Sequence, residues 1–95
     1  VQINNKNSQA HTDLCYAYVF TGNIREAINQ GTIAINLTPD APMPYLARAL
    51  ALQKSGQPQA ACEDAKMCKL KGEKILNNAD LLTEIDNIVL QTCNR

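Results

Sequence analysis

The sequence predicts an all-α fold of antiparallel helix-hairpin repeats, two repeats followed by a C-terminal capping helix. Apolar residues fill 45% of the 95 positions but aromatics only 4%, and a supply dominated by alanine and medium aliphatics suits close-packed helices better than a sandwich or barrel. The run Gly22-Asn23-Ile24-Arg25-Glu26-Ala27 recurs in register as Gly56-Gln57-Pro58-Gln59-Ala60-Ala61, 34 residues later, and a period of that length is one helical hairpin. Between the turn residues, apolar positions recur at spacings of three and four. So short a chain buries little core, and each layer must be covered by a neighbouring helix.

Residues 1–7 read as the tail of a preceding repeat and a turn, because Val1-Gln2-Ile3-Asn4-Asn5-Lys6-Asn7 has the form of Ile35-Asn36-Leu37-Thr38-Pro39-Asp40-Ala41 one period on. The expectation is a fragment with at least one more helical pair upstream. Ser8 is suited to cap a first helix over residues 8–21, with Leu14, Ala17, Tyr18 and Thr21 facing inward. Gly22 ends it and Asn23 caps the second helix, which carries Ala27, Ile28, Gly31, Ala34, Ile35 and Leu37 as far as Thr38-Pro39-Asp40. These two helices make the first repeat, residues 8–41.

Asp40 caps the third helix, and Pro42 and Pro44 fit its first turn, whose amides have no partner inside the helix. That helix runs through Tyr45, Ala49 and Leu52 to Ser55-Gly56. Pro58 opens the fourth, where Ala61, Ala65, Cys68 and Leu70 follow at helical spacing until Gly72 supplies a left-handed stop. The second repeat is residues 42–75. After a polar link, Asn78 and Asp80 open a fifth helix whose Leu81, Leu82, Ile85, Ile88, Val89 and Thr92 form one stripe, opposite Thr83, Glu84, Asp86, Asn87 and Gln91. Lacking the glycine and alanine landmarks, residues 76–95 read as a cap over the last hairpin.

On these residues the first unit resembles a tetratricopeptide repeat (TPR). The slots of that family's pattern are held by His11, Leu14, Cys15, Tyr18, Gly22, Ala27, Gly31, Ala34 and Pro39, with Gly31 where an aromatic is usual. In the second unit they are held by Tyr45, Ala49, Leu52, Gly56, Ala61, Ala65 and Cys68, with Arg48 in place of the leucine and Glu73 in place of the proline. About two-thirds of the chain is covered. Ankyrin and Sel1-like repeats are the alternatives, but ankyrin's Thr-Pro-Leu-His signature is absent and a Sel1-like unit would be longer and richer in glycine. The resemblance implies a TPR-like superhelix in which small residues mark close helix crossings. Gly31 then predicts a thinner core unless His11 or Tyr45 leans into the space.

The resemblance also implies a concave groove lined by the first helix of each pair. Gln9, Thr12, Asp13, Tyr16, Val19 and Phe20 would share it with Met43, Leu46, Ala47, Leu50, Gln53 and Lys54. The peptide-binding set is Thr12, Asp13, Tyr16, Phe20, Leu46, Leu50 and Lys54, since an exposed apolar stripe on a repeat protein suits a peptide or helix. The plainer alternative is that these residues pack against an upstream repeat or each other. Family members that grip a C-terminal carboxylate carry Lys and Asn where this chain has Thr12 and Tyr16, and Asn where it has Ala47; no such grip is expected.

Nine basic and nine acidic side chains cancel, so no net field recruits nucleic acid or anionic lipid. Lys66, Lys69, Lys71 and Lys74 alternate with Glu63, Asp64 and Glu73 as a solvated helix face would. No apolar stretch approaches the roughly 20 residues that span a bilayer, and Val1-Gln2-Ile3 does not open a signal peptide.

Of four cysteines, Cys15 and Cys68 fill small-residue slots. Cys62 and Cys68 share one helix and cannot bridge each other. A fifth helix returning antiparallel to the fourth would bring Cys93 towards Cys62, and a bridge there would imply an oxidising space such as a bacterial periplasm. Free thiols, and a cytoplasmic location, are the alternative. With one histidine and no CxxC pair no metal site is expected, nor is a cofactor, since no glycine-rich phosphate loop occurs. No thiol has a histidine partner and no carboxylates form an acid/base pair. The expected function is a non-enzymatic scaffold that binds a peptide or helix of another protein, the alternative being a spacer or homodimer whose groove is filled by a second copy.

Overall fold

The computed structural model describes residues 5–75 and 79–93. Among them it holds five α-helices and no strand: α1 (Asn5–Thr21), α2 (Ile24–Leu37), α3 (Pro42–Lys54), α4 (Pro58–Ile75) and α5 (Ala79–Cys93). Each helix packs on the next and α1 also packs on α3, as in a stack of helical hairpins. The shortest dimension, 18 Å against a longest of 42 Å, is about two helix diameters.

The turn between α1 and α2 and the turn between α3 and α4 are the same structure built twice. Gly22 and Gly56 have φ of 88° and 81°. In the first turn the Asn23 amide donates to Tyr18 O (2.9 Å) and the Gly22 amide to Val19 O (3.3 Å); in the second, Gln57 donates to Leu52 O (2.9 Å) and Gly56 to Gln53 O (3.2 Å). These paired bonds satisfy the last carbonyls of a helix whose next residue is left-handed, the Schellman arrangement. Each following helix then starts on one bond, Ala27 to Asn23 O and Ala61 to Gln57 O, both 3.0 Å. Nothing lies within 4 Å of a Cβ built on either glycine, so it is the backbone conformation, not space, that calls for glycine.

Several local expectations are corrected. α1 opens at Asn5, so residues 5–7 are helical and Ser8 is not its cap; residues 1–4 and Asn78 lie outside the described residues. The Ser8 hydroxyl lies 3.3 Å from Ala34 O and pairs with Thr38 Oγ1 at 2.6 Å, fastening the start of α1 to the end of α2. Asn23 makes no side-chain cap bond, and the N-cap of α3 is Ala41 rather than Asp40, whose carboxylate instead accepts from Lys71 Nζ at 3.2 Å. Gly72 is a buried helical residue and α4 continues to Ile75.

The inward face of α1 is also not the expected one. Leu14, Ala17 and Thr21 are exposed and only Tyr18 of that set touches the core. The buried stripe is Ser8, Thr12, Cys15 and Val19, roughly 140° around the helix at 100° per residue. Half of it is hydroxylic, and hydropathy alone does not mark such a face. The Thr12 hydroxyl donates to Ser8 O at 2.8 Å, so its burial leaves no unpaired donor.

Two apolar clusters follow. Cys15, Val19, Ala27, Ala47 and Ala51 join α1, α2 and α3; Ile35, Tyr45, Leu46, Cys68 and Ile85 join α2, α3, α4 and α5. α3 is shared by both and is buried on almost every side, from Pro42 to Leu52, as a helix apolar all round must be. The stripe of α5 faces the second cluster as its amphipathy predicts: Ile85 and Thr92 are buried, Leu81, Leu82, Ile88 and Val89 partly so, and Thr83, Glu84, Asp86, Asn87 and Gln91 are exposed.

The two departures from the repeat pattern prove to be one feature. A Cβ on Gly31 would sit 2.9 Å from Arg48 Cβ and 3.3 Å from its Cα, so it is Arg48, not His11 or Tyr45, that fills the space over α2. From there the guanidinium reaches α4, where Nε donates to Asp64 Oδ2 at 2.6 Å and Nη2 to Asp64 Oδ1 at 2.8 Å. Nη1 donates to Thr32 Oγ1 at 3.2 Å. Asp64 is 5% exposed, and so belongs to the interior rather than to the solvated lysine face. The hydrogen bonds to Asp64, and next its charge, raise the guanidinium pKa above its ordinary value despite burial.

Gly31→Ala is expected to overpack this crossing and lower stability by about 1–3 kcal/mol. Arg48→Ala, which strands a buried carboxylate, is expected to cost about 3 kcal/mol, while Arg48→Met with Asp64→Leu recovers most of that loss. Urea unfolding of the variants against the wild type measures all three.

Candidate functional site

Beside its buried stripe, α1 carries a second one. Gln9, Asp13, Tyr16 and Phe20 follow at spacings of four, three and four, centred roughly 100° around the helix from the Ser8 to Val19 stripe. Phe20 is 82% exposed. Tyr16, one turn earlier, is half-buried and leans on the cluster of Cys15, Val19, Ala27, Ala47 and Ala51. Asp13 is exposed and accepts from Gln9 Nε2 at 3.0 Å. On α3, Leu50 is half-buried and Lys54 exposed.

Four of the residues expected to line the groove, Thr12, Val19, Leu46 and Ala47, are inside the fold, Val19 and Ala47 in the cluster with Cys15. Thr12 is 2% exposed and Leu46 7%, the latter in the cluster with Tyr45 and Ile85. Leu46 is covered in the cluster that α5 joins, and the Thr12 hydroxyl is turned to Ser8 O of its own helix. Asp13, Phe20 and Lys54 remain open to solvent, with Tyr16 and Leu50 half so. What is left is an open face of α1 and α3 rather than a small-molecule cleft. One surface hollow lies between the starts of α1 and α3, lined by Gln9, Thr12 and Met43 of the expected groove together with Ser8 and Pro44, and another lies beside Cys93, lined by Pro58, Glu63 and Lys66.

Burial is the largest influence on the Tyr16 hydroxyl and pushes its pKa above the ordinary value. The thiols of Cys68 and Cys15, then the carboxylates of Asp13 and Glu84, push the same way. Tyr16 is therefore a neutral phenol at pH 7. Sequence reasoning left Glu84 on the solvent side of the cap. The structure exposes it there, and Tyr16, Leu50 and Glu84 are successively 34 residues apart in the sequence. Lys54 follows Phe20 by the same interval.

Cys62, in the second turn of α4, is joined by a disulfide to Cys93, the last residue of α5, with their Cα atoms 4.8 Å apart. Together with the Lys69 to Asp86 ion pair at 3.1 Å, this sets α5 antiparallel to α4. Cys15 and Cys68 are free and fully buried. Burial pushes their thiols up to about 11 and about 12, which leaves them protonated and slow to react at pH 7. His11 is half-buried and its Nδ1 pairs with Gln30 Oε1. Among the described residues no group of three or more His, Cys, Asp or Glu is placed to hold a metal ion, and no helix is long and apolar enough to cross a membrane.

Thiol counting with a disulfide-exchange dye checks the cysteine assignments. The native protein is expected to react slowly or not at all, the urea-unfolded protein to titrate two thiols, and the reduced, unfolded protein four. Four thiols without reductant would mean that Cys62 and Cys93 are not joined. A second consequence is pH-dependent. Above pH 9 an unfolded thiol ionises while the buried ones do not, so the unfolded state binds fewer protons and stability falls from pH 9 to about 11. Melting temperatures of the wild type are expected to drop over that range more steeply than those of a Cys15→Ala, Cys68→Ala variant.

No protein-family model, curated protein or solved structure matches this chain.

Proposed function

We propose that the chain is a non-enzymatic interaction module of the tetratricopeptide-repeat kind, which holds a peptide or helix of a partner protein against the face of α1 and α3. The repeated turns at Gly22 and Gly56 support the repeat assignment. So do the buried small residues Cys15, Ala27, Gly31 and Ala34, with Ala49, Ala61, Ala65 and Cys68 in the second unit. The observation that carries the binding role is Phe20, an aromatic 82% exposed one turn from a half-buried Tyr16. A large apolar side chain left in water gains on being covered, by about 1.5–3 kcal/mol when burial is complete.

The free thiols, buried and protonated, support a packing role for them rather than a nucleophilic one. The disulfide supports an oxidising compartment, a bacterial periplasm or the exterior. Affinity capture with immobilised wild type and a Phe20→Glu variant tests the function: the wild type is expected to retain a protein that the variant loses, while both melt at the same temperature. Light scattering on the same samples is expected to report a monomer. Equal capture by both, or a wild-type dimer that the substitution splits, would replace this role with the spacer or self-association role.

A further inference from the structure

We propose that the disulfide between Cys62 and Cys93 is a reducible latch on α5. A dithiol reductant opens this one helix and uncovers the cluster of Tyr45, Leu46 and Cys68, while the hairpin of α1 and α2 stays folded. The bridge is placed to be reached. Both cysteines are half-buried rather than enclosed, and both line the surface hollow between the start of α4 and the end of α5, with Pro58 and Lys66 beside them. A thiolate of the reductant entering there attacks one Sγ and bonds to it. The S–S bond breaks, and the other cysteine leaves as a thiolate that takes up a proton. The reductant's second thiolate then attacks the mixed disulfide, frees the first cysteine and closes a cyclic disulfide, so that two electrons and two protons pass to Cys62 and Cys93.

What the bridge holds is a helix covered on one side only. α5 packs on α4, and of its side chains Ile85 and Thr92 are buried, Leu81, Leu82, Ile88 and Val89 are covered in part, and Leu90 is exposed. The Thr92 hydroxyl is turned to Ile88 O of its own helix. The ion pair of Lys69 with Asp86 is open to solvent on both sides, where such a pair adds little. A helix of 15 residues is marginal by itself in water, and the bridge fastens its last residue, the end farthest along the chain from α4. Local opening draws on elements of this kind. The two free thiols report on it separately. Cys68 is buried in one cluster with Ile85 of α5, whereas Cys15 belongs to the cluster of α1, α2 and α3, which α5 does not enter.

The test follows alkylation of Cys68 and Cys15 by peptide mass mapping in native buffer, before and after treatment with dithiothreitol and its removal. Cys68 is expected to react roughly a hundredfold faster in the reduced protein, and Cys15 at its original rate. A Cys62→Ser, Cys93→Ser variant is expected to behave as the reduced protein does without any reductant. An unchanged rate at Cys68 after reduction would show that packing alone holds α5 and would overturn the latch. Equal acceleration of Cys68 and Cys15 would overturn it as well, since the whole fold and not one helix would then have opened. So would a bridge that dithiothreitol leaves intact in the folded protein.

Discussion

A guanidinium lodged where three helices meet fixes how the two hairpins are laid together. The Arg48 stem can pass over α2 only because Gly31 offers no side chain, and its head can be buried only because Asp64 on α4 accepts two of its hydrogen bonds. Neither partner makes sense without the other. A glycine within a helix costs about 1 kcal/mol relative to alanine, and an unmatched buried carboxylate costs several times that. The three residues on three helices are satisfied only at one mutual spacing and rotation, so the pair of hairpins has a specified geometry that a purely apolar contact would leave looser.

That geometry makes α3 the axis of the molecule. Its two apolar sides feed separate clusters, one shared with α1 and α2, the other with α2, α4 and α5. The same packing that covers Thr12 and Leu46 leaves Phe20 uncovered, since nothing among the described residues stacks on that side of α1. The exposed face is thus a by-product of the stacking rule.

Much of the fold was legible because close helix crossings require the absence of a side chain, and absence is visible in a sequence. Cys15, Ala27, Ala34, Ala49, Ala61, Ala65 and Cys68, each assigned to a crossing, are all fully buried. The stripe of α5 was legible for the opposite reason, its large aliphatics being cleanly separated from its charges. What escaped was burial achieved through hydrogen bonds. Ser8 and Thr12 are inside because neighbouring carbonyls and hydroxyls satisfy them, and Asp64 is inside because of Arg48; hydropathy ranks all three as surface residues. Cap residues escaped as well, since Asp40 had a lysine to pair with and the α3 proline turn did not need its oxygen. At the candidate site the exposure of Asp13, Phe20 and Lys54 was legible, whereas Thr12, Val19, Leu46 and Ala47 were misplaced because their burial depends on how the helices stack.

The covalent link between α4 and α5 gives the stack a direction. Helices without a crosslink open more readily than joined ones, and here α4 and α5 are linked covalently while α1 is held to its neighbours by side-chain hydrogen bonds and packing. Amide protons of α1 should therefore exchange with solvent well before those of α4 and α5. Phe20 rides on the more pliable edge and the covalent link on the stiff one, so local opening reaches the uncovered aromatic long before it reaches Cys62 and Cys93.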